Sequence, residues 1–140
     1  MPNVRSSEGL VEGHEKLKEE WLGRLTALID SVETWARELG WSTRRIEKAM
    51  EDREIGDYKA PSLLLQEEFH RGILEPLDRL TIGSEGVVDL YLMPAWDDIA
   101  SLFFYDGKWN IHFPDRKSPA VPLSSETLRA VLATMKEHAV

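Results

Sequence analysis

The chain has 140 residues, 42% hydrophobic and 30% charged, which suits one globular domain with a single core. Its 17 basic and 25 acidic side chains leave a net charge of −8, which disfavours phosphate backbones and anionic membrane surfaces. There is no cysteine, so disulfides, thiol nucleophiles, Cys-type zinc sites and iron–sulfur clusters are excluded.

Residues 1–13 include Pro2, Ser6, Ser7, Gly9 and Gly13 and few apolar groups, which predicts a mobile tail ahead of one α+β domain over 14–140. No apolar run has the length of a signal peptide core or approaches the ~18 residues of a membrane span, so a cytoplasmic location is the default expectation. From about Glu15 a helix is expected. Trp21, Leu25, Leu28, Val32, Trp35 and Leu39 recur every three or four residues, and Leu22, Ile29 and Ala36 widen the stripe. Gly40 stands where a left-handed residue would end that helix. The same spacing fits coiled-coil heptads for only two to three repeats, so packing on a sheet is the better reading.

In residues 41–57, Ser42 is placed to cap a short second helix whose Ile46, Ala49 and Met50 share a face, closed by Gly56-Asp57. Strands are then predicted at 60–66 and 69–75, with Glu67-Glu68 as the turn, and a short piece at 79–82 precedes Gly83-Ser84-Glu85-Gly86. Further strands follow at 87–93, 99–105 and 108–113. The stretch 91–113 holds seven of the twelve aromatic residues, and Asp106-Gly107 is a strong hairpin signal. The three prolines of 114–122 predict a loop crossing back over the sheet. Ser124 is an N-cap for the last helix, with Leu123 and Leu128 as its hydrophobic staple.

Short connections imply antiparallel neighbours. The expected architecture is α+β: a long N-terminal and a C-terminal helix on one face of a roughly five-stranded antiparallel meander. The order helix, meander, helix resembles the layout of frataxin-like proteins and of small secretion chaperones. That resemblance lies in element order and transfers no residue's role.

Strand period then sorts the candidate functional groups. Val88, Leu90 and Leu92 share one face, as do Trp109, Ile111 and Phe113, and these suit the helices. The opposite face then presents Asp89, Tyr91, Met93, Asn110 and His112, with Trp96 in the adjoining loop, as a candidate surface for a protein partner or for self-association. The alternative is a small metal-binding protein or hydrolase that uses His70 and His112 with Glu75, Asp89, Asp97 or Asp98. No HxH, HExxH or GxSxG pattern supports it, and the Gly83–Gly86 turn leads into a strand rather than a phosphate-binding helix. No cofactor is expected. Nucleic acid is disfavoured as a partner because residues 60–113 carry nine acidic and three basic side chains; mimicry of nucleic acid is a third, weaker reading. The favoured expectation is a small acidic cytosolic interaction module of an accessory, immunity-type or chaperone-like kind.

Overall fold

The apolar stripe of the N-terminal half folds as α1, Pro2–Glu38, so helical backbone begins well before the periodic residues do. The computed structural model describes all residues except 1, 82, 94–98, 115–118 and 139–140, and side chains within α1 from residue 13 onward. Trp21, Leu25, Leu28, Ile29, Val32 and Ala36 are all buried, as a wide amphipathic face requires. The helix ends in a Schellman motif. Gly40 takes φ +94°, its N–H bonds Arg37 O at 3.0 Å, and the Trp41 N–H bonds Ala36 O at 3.0 Å.

Seven antiparallel strands follow in sequence order: β1 (Ser42–Asp52), β2 (Gly56–Glu67), β3 (His70–Asp78), β4 (Val87–Met93), β5 (Ile99–Tyr105), β6 (Lys108–His112) and β7 (Val121–Pro122). Two of the seven differ in kind from the sequence expectation. Residues 42–52 form a strand rather than a short helix, because eleven consecutive pairs with β2, from Ser42↔Gln66 to Asp52↔Gly56, outweigh the helix propensity of RRIEKAMED. The end of the 114–122 segment adds β7 through Asn110↔Pro122 and Ile111↔Val121. The β5–β6 hairpin turns on Asp106 and Gly107, both at positive φ, as a type I′ turn demands.

The last helix, α2 (Ser125–His138), is capped as expected: the Ser124 hydroxyl accepts the Thr127 N–H at 3.2 Å, and Thr127 Oγ1 accepts the Ser124 N–H at 2.8 Å. Its Leu128, Val131, Leu132 and Met135 join α1 in one core. Register shows which side of the sheet that core occupies. Leu63, Leu65, Leu74, Leu90, Leu92, Ala100, Leu102 and Ile111 are mutually opposed across β2 to β6, and all are buried. Both helices therefore pack on one face of the meander. No described helix is long and apolar enough to cross a membrane.

The β1–β2 arm departs from this regular layering. β2 pairs with β3 only from Leu63 to Glu67. Before that point its buried residues switch from odd to even positions: Tyr58, Ala60 and Ser62. The arm separates from β3 there, and Tyr58 receives the indole N–H of Trp21 at 2.8 Å. Arg79, only 7% exposed, holds the tip of the arm through Asp52 at 2.9 Å and Glu54 at 3.1 Å. Burial opposes the charge on Asp52. The Arg79 guanidinium and the N–H groups of Glu54 and Ile55 outweigh it and hold that carboxyl below its usual range. Along the rest of β1, Arg45 donates to Asp30 at 2.6 Å and to Glu33 at 3.0 Å, and chiefly through that bond lowers the Glu33 pKa.

Trp21 is thus fixed at its polar end, and its ring lies against Gly86. A Cβ on Gly86 would stand 2.5 Å from Trp21 Cζ3 and 3.0 Å from Cη2. Gly86→Ala is expected to cost about 2 kcal/mol by overpacking, read as a lower urea midpoint; an unchanged midpoint would show that the indole is free to yield. Ser62 is buried, and its hydroxyl has no bonding partner among the described residues. Ser62→Ala is therefore expected to leave stability unchanged or to raise it by up to about 1 kcal/mol. A comparable loss in the same urea experiment would show that the hydroxyl is satisfied.

Candidate functional site

With both helices on one side, the other side of the sheet is built from the alternate residues of each strand. Register arranges them in rows across the strands. One row runs Ser42, Gln66, Arg71, Met93 and the next Arg44, Leu64, Ile73, Tyr91, Ile99. Glu75 faces Asp89 in the third row, which continues through Ser101 to His112. The fourth runs Val87, Phe103, Asn110, Pro122.

Of the residues expected on this surface, Asp89, Tyr91, Met93 and His112 do share it, and Met93 is 41% exposed. Asn110 has the same orientation but is 2% exposed, with its amide donating to Lys108 O at 3.3 Å, so it offers no contact area. Trp96, Asp97 and Asp98 lie outside the described residues. The apolar members Leu64, Ile73, Ile99 and Phe103 are half-buried and stand apart from the helix-side core. Leu64, Ile73 and Ile99 line up in one row as a second apolar strip that a reading of two strands alone did not reveal, and Phe103 lies two rows away.

The metal and hydrolase alternative needs convergence that the fold does not supply. His70 pairs with Glu67 and shares the parity of Gly72 and Leu74, the helix side, where Glu67 is bound by Lys136 at 2.6 Å. His112 lies three strands away on the opposite side. Among the described residues no group of three or more His, Asp or Glu could hold a metal ion. Asp89, Ser101 and His112 do fall in one row, but Ser101 stands between the other two and donates its own proton to Asp89 at 3.4 Å. A nucleophilic serine must instead hand that proton to a base.

Charge is distributed unevenly along the strands. At one end an open groove of about 390 Å³ is lined by Ser42, Arg44, Leu64, Gln66, Arg71 and Met93. Arg44 and Arg71 are exposed, and neither has a hydrogen-bond or ion-pair partner among the described residues. At the other end Glu75 and Asp89 stand side by side. Glu75 accepts the Tyr91 hydroxyl at 2.9 Å and lies 3.7 Å from Lys48 Nζ. Phe69, 94% exposed in the β2–β3 turn, projects beyond the arginine end.

The chain matches no protein-family model, no curated protein and no solved structure. Its functional reading therefore rests on this geometry.

Tyr91 reports the electrostatics of the face. Burial first, then its hydrogen bond to Glu75 and the negative charges of Glu75 and Asp89, push the phenol up to about 12. Because the folded value lies above the ordinary one, the associated stability is complete below pH of about 10 and is lost as pH rises through about 12. In an alkaline absorbance titration, wild type minus Tyr91→Phe is expected to give one tyrosine ionising near 12. A difference curve centred near 10 would mean the phenol is solvated and unpaired.

Proposed function

We propose that this chain is a cytoplasmic, non-enzymatic protein-interaction module, an accessory, immunity-type or chaperone-like factor, that engages a protein partner through the helix-free face of its sheet. The observation that carries this reading is the row Leu64, Ile73, Tyr91 and Ile99, whose aliphatic members lie outside the helix-side core, with Arg71 in the row on one side and Glu75 and Asp89 in the row on the other. A contiguous apolar patch with a polar rim is the usual signature of a contact surface. Tyr, Met and Arg, all present here, are the side chains enriched in such contacts.

The acid–base reading is weaker on the same geometry. Its two histidines face opposite sides, and among the described residues no cluster of His, Asp and Glu could hold a metal ion. Nucleic acid is disfavoured because the exposed cations Arg44 and Arg71 share their face with Glu75 and Asp89, within a chain of net charge −8.

A photo-crosslinking residue placed at Ile73 in the native host is expected to give specific protein adducts. The same residue at Ala133, exposed on α2, is expected to give none. Equal yields from the two positions, or no adduct from Ile73, would overturn the assignment of the face.

A further inference from the structure

We propose that the occupant of this face is a second copy of the chain, related by a two-fold axis that lies in the face and runs across the strands above Leu64, Ile73, Tyr91 and Ile99. The inference rests on reading the face as a contact surface, and it names the partner.

The charge pattern selects that axis. On β3, Arg71 lies two residues to one side of Ile73 and Glu75 two residues to the other, about 7 Å each way at ~3.4 Å per residue. Rotation by 180° about an axis across the strands turns the face over and exchanges its two ends. Each copy's Arg71 then stands above the other copy's Glu75, with Asp89 beside it. Arg71 gains the partner that no described residue of its own chain supplies. Glu75 already accepts the Tyr91 hydroxyl and lies 3.7 Å from Lys48 Nζ, and it keeps capacity for Arg71 because a carboxylate offers about four lone-pair sites. An axis along the strands, between β3 and β4, would instead set Glu75 against Asp89 and Arg71 against Met93. Like charges in contact make that arrangement unfavourable.

Apolar matching follows from the same operation. The Leu64, Ile73, Tyr91, Ile99 row meets itself and interdigitates as the interior of an aligned sandwich, ~10 Å between sheets. Arg44 lies on the edge strand at the rim, where two twisted sheets splay apart and its charge stays in water. Five strands ~4.8 Å apart and rows spanning ~14 Å give a face of roughly 340 Å² per copy. That is below the ~600 Å² per partner of a small specific interface, so association should be weak and depend on concentration.

Sedimentation velocity over a concentration series at about 150 mM salt tests the arrangement. Wild type is expected to move from monomer to dimer, and Arg71→Ala, an exposed position, to weaken association at least tenfold. Arg71→Glu and Glu75→Arg are each expected to be monomeric alone. Mixed together they should form a one-to-one dimer, because the reversed charges again oppose each other between copies. The double variant Arg71→Glu/Glu75→Arg should restore self-association. Should Glu75→Arg lose cooperative unfolding, the Arg71→Ala series decides alone. A wild type that stays monomeric throughout, or a mixture of folded variants that fails to pair, overturns the dimer. If the Ile73 crosslinks then lead to a different protein, the face remains a contact surface and only its occupant is wrong.

Discussion

A sheet has two faces, and this chain commits both of its helices to the same one. The apolar stripes of α1 and α2 meet a single set of alternating residues from β2 to β6, and these groups together make one continuous core. The arrangement follows from phase. Leu63, Leu74, Leu90, Ala100, Leu102 and Ile111 are in register across the strands, so covering one covers all. What remains on the other side is a second half-apolar surface whose strand residues have no helix above them. The functional reading depends on that imbalance.

The packed side has its own weak point, where the β1–β2 arm leaves the sheet. Backbone pairing with β3 stops at Leu63, and side chains take over: Trp21 to Tyr58, Arg79 to Asp52 and Glu54, Arg45 to Asp30 and Glu33. The pairs differ in weight. Arg79 and Asp52 are both nearly buried, so removal of one partner would leave a costly unpaired charge. Arg45 is half-exposed and contributes modestly. Arg24 adds a bond to Glu85 O at 2.8 Å and stacks 4.0 Å from the Phe104 ring centre, tying α1 to the turn that contains Gly86.

Where local chemistry decides structure, the sequence was readable. The α1 stripe, the Gly40 cap, the Asp106-Gly107 turn, the Ser124 cap and the 87–93 and 99–105 strands are all set by groups a few residues apart. β1 was not readable because its residues favour a helix and only the partner strand, known from tertiary pairing, makes them extended. β7 escaped because Val121 and Pro122 are too few to show a periodicity. The face followed the same division. Period two placed Asp89, Tyr91, Met93 and His112 together, whereas Leu64, Arg71, Ile73 and Ile99 joined them only through cross-strand register. The burial of Asn110 had no signal in the strand pattern.

β1 closes one side of the sheet, and its eleven residues run without a register shift, leaving one margin of peptide groups with no neighbouring strand among the described residues. An unbroken margin of that length invites strand-by-strand growth into fibrils. Here Arg44, Arg45, Glu47, Lys48 and Glu51 line it with both signs of charge, so an incoming copy laid alongside in most registers meets at least one repulsive pair. These charges thus act as gatekeepers and keep the sheet finite.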